Sequence, residues 1–176
     1  MLVKYVTDLH PAAVLRTVRD SMHPALRTQQ ALDFVELYRS VFESAPEGSL
    51  DPVQDVQDWV KRFLAAEYHD MTQNSLFVLY LLDKAVAGCI VQQGVLKALV
   101  STYKGAGAFV MQQAMDACAN PAAMLTCVEG LVPFYAKHRW QVLSREENWT
   151  AGGPDILKMY RPQATVVAAC VHGMSD

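Results

Sequence analysis

The sequence predicts one α/β domain, with helices leading and strands alternating with helices after them. Three observations carry this reading. The 176 residues are 52% hydrophobic and 19% charged, enough chain to bury a core without disulfide or metal support. Phe34, Leu37, Tyr38 and Val41 form an i, i+3, i+4, i+7 stripe, the mark of an amphipathic helix. From Ser75 onward the pattern changes to short apolar runs, LFVLYLL at 76–82 and VAGCIVQ at 86–92, which have the length of buried strands.

The elements follow in order. Pro11 suits a first helical turn, and Val14, Leu15 and Val18 then recur with helical spacing, so residues 1–30 are expected to form a helical extension interrupted at His23-Pro24. The stripe predicts a helix from about Thr28 to Glu43, and SAPEGSL at 44–50 reads as a loop. Asp51-Pro52 reads as N-cap and first helical residue of a second helix bearing Val56, Trp59, Val60, Phe63 and Leu64 on one face. The runs 76–82 and 86–92 flank Asp83-Lys84-Ala85 and predict a hairpin, although neither Asn-Gly nor Asp-Gly marks its turn. Leu96–Val100 is a third strand, Ala108–Cys118 a helix, and Met124–Val128 a strand. Leu131–His138 reads as a short helix, and Gln141–Ser144 and Ile156–Arg161 as the closing strands. The tail from Gln163 to Asp176 adds a strand through Thr165–Val171 or frays.

Composition excludes several function classes. The net charge of −3 argues against a general binder of phosphate backbones. Cys89, Cys118, Cys127 and Cys170 form no C-x-x-C pair, so reduced thiols in a cytoplasmic protein are expected rather than a zinc knuckle or a disulfide framework. No metal site is expected. The opening MLVKYVTDLHP has no apolar core of signal-peptide length, and no apolar run is long enough to span a membrane. The charge is unevenly spread. Residues 33–70 hold nine acidic and three basic side chains, a charge of −6, whereas residues 1–32 carry +2. An acidic segment of this kind either forms a solvated helix face or attracts a cationic substrate.

Gly105-Ala106-Gly107 stands between a strand and a helix. Glycines there either permit a tight turn or let a ligand approach backbone N–H groups at a helix N-terminus, where unpaired donors and the helix dipole favour an anion. Neither a dinucleotide fingerprint nor a P-loop is present, since Val110 occupies the third glycine position and no Gly-Lys-Ser/Thr follows.

With this order of elements, three segments resemble the GNAT superfamily of acyl-CoA-dependent N-acetyltransferases. LKALVSTYKGAGAFVMQQAM at 96–115 is similar to the family's strand, [QR]-x-x-G-x-[GA] turn and helix, with the motif on Thr102–Gly107. LVPFYAKHRWQVL at 131–143 resembles the family's Phe-Tyr segment, and GGPDILKMYRP resembles the last strand. The Gly-Gly-Pro-Asp of that last segment is also similar to GNAT-like proteins carried by phages. The resemblance covers about residues 31–162. Thr102 departs from the family's Gln or Arg, and Arg139-Trp140 replaces its usual Gly-Phe.

The resemblance implies a mixed, mostly antiparallel sheet flanked by helices, with a splay between the family's fourth and fifth strands. It implies acetyl-CoA as cosubstrate, held by the backbone of Tyr103, Lys104, Gly105, Ala106, Gly107 and Ala108, with the pantetheine arm near Leu99, Val100 and Thr126–Val128. Tyr135 falls on the family's tyrosine, the general acid for the leaving thiolate. Glu129, at the end of the family's fifth strand, is a candidate base, and Glu47, Asp51 and Asp55 are candidates for holding a cationic acceptor amine. A homodimer is open. So are two other functions, a catalytically degenerate binding protein and an acyltransferase acting on nucleic-acid bases. The latter requires a basic groove, for which residues 1–32 are the available source.

Overall fold

A computed structural model of the chain describes residues 4–5, 12–18, 23–43, 50–65, 74–117, 122–147 and 154–162. Strands β1 (Lys4–Tyr5) and β2 (Ala13–Val18) come first, followed by helices α1 (Pro24–Phe42) and α2 (Val53–Ala65). Strands β3 (Asn74–Leu81), β4 (Lys84–Gln92) and β5 (Val95–Ser101) lead into helix α3 (Ala106–Asp116) and strand β6 (Ala122–Val128). A 3-10 turn (Glu129–Leu131), helix α4 (Val132–Lys137), β7 (Gln141–Glu146) and β8 (Ile156–Pro162) complete the described chain. The sheet runs β1-β2-β3-β4-β5-β6-β8-β7. Every pairing is antiparallel except β5–β6, which are parallel and joined through α3.

The N-terminal segment corrects the expected helical extension. Ala13–Val18 pairs antiparallel with β3, from Ala13↔Leu81 to Val18↔Leu76, and Ala13 and Leu15 are buried while Val14 is half-buried. That is a period of two. Over six residues Val14, Leu15 and Val18 fit either period, and the β-branched Val14, Thr17 and Val18 suit a strand better. His23-Pro24 opens α1 instead of interrupting a helix: Ala25 N–H donates to His23 Nδ1 at 3.3 Å, and Pro24 occupies the first turn. The helix therefore starts one turn before Thr28. The cap of α2 also moves by one residue. Asp55 and Val56 N–H donate to the Pro52 carbonyl at 3.0 and 3.2 Å. The tail strand considered at 165–171 lies outside the described residues.

Strand alternation sorts the core onto two faces. Leu76, Val78, Tyr80, Ile90 and Val100 face Phe34, Tyr38, Val60 and Phe63 of α1 and α2. Phe77, Leu79, Cys89, Leu125 and Met159 pack with Val110, Met111 and Met115 of α3, together with Tyr135 and Trp140. Gly88 sets the spacing of α1 over β4, since a Cβ there would stand 2.6 Å from Phe34 Cδ2 and 2.9 Å from the Phe77 carbonyl oxygen. The expected β3–β4 hairpin is present, with Leu82 and Asp83 at φ 50 and 62. Both turn positions thus take the left-handed backbone that a two-residue hairpin of this hand requires.

One irregularity opens the sheet. Between Gly88↔Val100 and Ile90↔Lys97 the β4–β5 register shifts, so that Ala98 and Leu99 together oppose Cys89. Ala98 sits at φ 49, and its N–H donates to Asp51 Oδ2 at 3.3 Å. β5 and β6 pair only at Val95↔Met124 and Leu96↔Leu125, just before this bulge. Beyond it the two strands separate, as a bulge re-aims a strand and ends pairing. This is the expected splay, and the extra residue on β5 is its local cause.

Candidate functional site

The turn from β5 into α3 is braced from behind. Thr102 donates twice to the Val86 carbonyl, through its N–H at 2.8 Å and its hydroxyl at 3.2 Å. The Ser101 hydroxyl donates to the Tyr103 carbonyl at 2.8 Å and accepts the Tyr103 N–H at 3.3 Å. Ala106 N–H donates to the Tyr103 carbonyl at 3.1 Å, and the first helical bond runs from Phe109 N–H to the Gly105 carbonyl. Among the described residues the N–H groups of Lys104, Gly105, Gly107 and Ala108 are left without a protein partner. The six-residue turn therefore offers four open donors, those of Tyr103 and Ala106 being used internally. Gly105 caps α3 at φ 82, a left-handed backbone that favours glycine. Gly107 lies against Ser101, where a Cβ would come within 3.2 Å of the serine Cβ.

Two adjoining cavities occupy the splay. One, of about 380 Å³, is lined by Leu99, Val100, Tyr103, Gly105, Gly107 and Ala108, with Phe134 and Tyr135 opposite. The other, of about 300 Å³, is lined by Lys97–Leu99 and Thr126–Val128 across the gap, and by Asp51, Tyr135, Glu146 and Lys158. Phe42, Leu99, Leu131 and Tyr135 border both, so a groove runs continuously from the glycine turn through the split sheet. The paired edges of β5 and β6 give out here, which leaves strand backbone along the groove for an extended ligand. A third cavity of about 640 Å³ continues from the second past Asp51, Lys97 and Ala98 and is lined by Asp55, Asp58, Trp59 and Arg62 of α2.

Tyr135 sits at the centre of this arrangement. It is buried, in edge contact with Phe134 (ring centroids 5.1 Å apart) and Trp140 (6.2 Å). Its hydroxyl has no hydrogen-bond partner among the described residues. Burial, followed by the nearby Cys127, Cys89 and Asp51, raises its pKa well above that of a free phenol, so it holds its proton across the physiological range. Burial likewise pushes the Cys127 thiol up to about 11, a measure of how poorly this pocket tolerates a thiolate.

The other sequence candidates divide. Leu99, Val100, Tyr103, Gly105, Gly107 and Ala108 line the groove; Lys104 is an exposed member of the turn, and Ala106 is buried beneath it. Asp51 borders both the splay and the acidic cleft, and Asp55 lines the cleft. Glu47 lies outside the described residues. Glu129 is exposed on the 3-10 turn, its carboxylate 2.9 Å from the Arg145 guanidinium, which also binds Asp155, and it lines neither splay cavity. The carboxylate expected as a base is therefore held in an exposed ion pair outside the groove. Lys97, Lys158 and Glu146, which the sequence reading did not single out, do line the splay. The available signal was a charged residue inside an otherwise apolar strand, as in Leu-Lys-Ala and Leu-Lys-Met.

The departures at Thr102 and Arg139-Trp140 have structural roles. Thr102 secures the turn to β4, as described. Arg139 takes φ 68 just after α4, the left-handed backbone that a glycine adopts readily, and Trp140 is buried against Tyr135. The basic residues described in the N-terminal region are engaged away from the groove: the Arg16 guanidinium lies 4.7 Å from the centroid of the Tyr80 ring, and Arg27 donates to the Leu64 carbonyl. Cys89 and Cys127 are free, buried thiols; Cys118 and Cys170 lie outside the described residues. Among the described residues no cluster of three or more His, Cys, Asp or Glu side chains is placed to hold a metal, and no helix is long and apolar enough to cross a membrane.

No protein-family model matches the sequence, and no curated protein is similar to it in sequence. Solved structures are similar in fold. An N-acetyltransferase from Staphylococcus aureus superposes with a TM-score of 0.62 at 12% identity, covering 85% of this chain and 97% of the other. An acetyltransferase of the GNAT family from Streptococcus pneumoniae gives 0.57 at 14% identity over 84% and 99%. An acyl-CoA N-acyltransferase from Pseudomonas aeruginosa gives 0.57 at 16% identity over 84% and 97%. The chain has the GNAT fold: a mixed, mostly antiparallel sheet flanked by helices and split between its parallel pair.

Proposed function

We propose that the protein is an N-acetyltransferase that moves an acetyl group from acetyl-CoA to a primary amine. The observation that carries this reading is the continuous groove between β5 and β6, which joins the four open N–H donors of the α3 turn to Tyr135 and Asp51. The turn suits a pyrophosphate, because first-turn donors and the helix dipole both favour an anion, and Lys104 adds a cation beside them. The facing edges of β5 and β6, which no longer pair with each other at Leu99, Val100 and Thr126–Val128, suit the amide-bearing pantetheine arm. The thioester then lies beside Tyr135.

The chemistry needs two proton movements. An alkyl ammonium with a pKa near 10 costs about 4–5 kcal/mol to deprotonate at pH 7. Asp51, where the splay meets the acidic cleft, holds that ammonium and accepts its proton, directly or through water, as the nitrogen bonds to the thioester carbon. Glu129, paired with Arg145, is not needed for this step. As the C–S bond breaks, Tyr135 donates its phenolic proton to the departing sulfur. Its raised pKa does not oppose this, because the same burial raises a thiolate's proton affinity, as it does for Cys127.

Acetyl-CoA at about one hundred times its dissociation constant should stabilise the fold by about 2.7 kcal/mol, a rise in Tm of roughly 5–10 °C for a chain of this size. Gly107→Glu, which puts bulk and negative charge on the open donors, should abolish that rise. No shift at millimolar acetyl-CoA, together with no transfer to any amine, would refute the proposal.

A further inference from the structure

We infer that the acceptor is a primary amine that also carries a carboxylate, of the amino-acid class. This rests on the acetyltransferase reading and narrows its substrate. Paired residues on neighbouring strands point to the same side of a sheet. Leu96 pairs with Leu125, and both pack on the α3 side, so Lys97 points to the opposite side. Lys97 also pairs with Ile90, which packs under α1 and α2. Thr126 pairs with Lys158, and Lys158 with Ser144, while their neighbours Leu125, Cys127, Leu157 and Met159 all belong to the α3 side. Lys97, Thr126, Lys158 and Ser144 therefore share the sheet face on which α1 and α2 lie. The helices cover that face over β3–β5, whereas Thr126, Lys158 and Ser144 are exposed.

Both lysines line the floor of the central cavity, and Asp51 and Glu146 line the same cavity. Among the described residues Lys158 has no hydrogen-bond or ion-pair partner, whereas Lys97 donates to Gln92 at 3.1 Å. The acidic segment alone suggests a simple cation, but the cavity it adjoins is lined by two carboxylates and two ammonium groups. A polyamine would set positive charge against Lys97 and Lys158. A phosphorylated amine would bring two negative charges to a lining that balances at zero. A zwitterion matches both signs, with its ammonium toward Asp51 and its carboxylate toward Lys158 and Lys97. In the reaction the amine nitrogen bonds to the acetyl carbon and the C–S bond breaks. The amine loses a proton toward Asp51, the thiolate gains one from Tyr135, and the carboxylate remains unchanged.

The test uses the full chain and matched acceptors: alanine with ethylamine, phenylalanine with phenethylamine, and lysine with 1,5-diaminopentane. CoA release is followed at saturating acetyl-CoA. The expected result is a kcat/KM at least about tenfold higher for the acid in the best pair, in line with a charge-assisted contact. Lys158→Gln should remove most of that preference through KM, and Lys158→Glu should reverse it, while the thermal shift with acetyl-CoA persists in both. Equal use of acid and amine, preference for the amine, an acid preference that survives Lys158→Gln, or acetyl-CoA binding with no amino acid turned over would each overturn the inference and leave the acetyltransferase reading standing. Loss of acetyl-CoA binding and of all transfer in the unmodified protein would instead overturn that reading and this inference with it.

Discussion

Replacing Tyr135 by Phe removes one oxygen and leaves the ring contacts with Phe134 and Trp140 in place. The hydroxyl has no hydrogen-bond partner among the described residues, so no internal bond is lost and stability should not fall. Activity should change far more. A positioned general acid contributes about 10²–10⁴ in rate, so kcat should fall at least about 100-fold, equivalent to about 2.7 kcal/mol of transition-state stabilisation. The assay is CoA thiol release with donor and acceptor both saturating, alongside the dissociation constant of acetyl-CoA from a thermal titration, which should stay within about twofold. pH separates the roles further. A general acid works only while protonated, and burial raises the pKa of Tyr135, so its ionisation should impose no loss of kcat below about pH 10. Above that pH an unfolded phenol ionises while the buried one keeps its proton, so the native state loses stability as pH rises, and the Tyr135→Phe substitution would remove that contribution. An unchanged kcat in Tyr135→Phe, or a loss matched by an equal loss of acetyl-CoA affinity, would refute the assignment of Tyr135 as proton donor.

Two substitutions test the framework that holds the groove. Gly88→Ala places a Cβ 2.6 Å from Phe34 Cδ2 and 2.9 Å from the Phe77 carbonyl; overpacking of this kind costs about 1–3 kcal/mol, and chemical denaturation should show a lower midpoint at unchanged m-value. Arg139→Gly relieves a left-handed non-glycine residue. The strain is about 1–2 kcal/mol and is partly offset by the greater freedom of glycine in the unfolded chain, so a net gain of about 0.5 kcal/mol is expected. A destabilised Arg139→Gly would show that the side chain has a role beyond its backbone conformation.

Much of this was legible in the residues, for identifiable reasons. The stripe Phe34, Leu37, Tyr38, Val41 spans two helical turns, long enough to separate a period of 3.6 from a period of two, and the helix is there. Ala13–Val18 is too short for that separation, and its partner strand lies some sixty residues away in sequence, so tertiary pairing decided a case that local spacing left open. The glycine turn was readable because Gly105 takes a backbone that favours glycine. The bulge was not, because its left-handed residue is Ala98 and no residue type announces it. Glu129 occupies the expected place along the chain, but Arg145 lies on β7 and Asp155 just before β8, and only the fold brings that guanidinium alongside. Asp51 was read both as a helix cap and as a substrate ligand. The helix starts one residue later than that reading placed it, since Pro52 supplies the first accepting carbonyl, and Asp51 borders the splay and the cleft beside α2.

Asp51 also links the two halves of the proposed reaction. A left-handed Ala98 costs about 1–2 kcal/mol, and a hydrogen bond from its N–H to a carboxylate contributes about 1.5–3 kcal/mol, so the contact at 3.3 Å is of the right size to hold the bulge. The bulge ends the pairing of β5 with β6 and so opens the groove proposed for the donor. The same carboxylate borders the acidic cleft from which an amine would approach. The proposed donor groove and acceptor cleft thus share one side chain, which accepts a hydrogen bond from the backbone of β5.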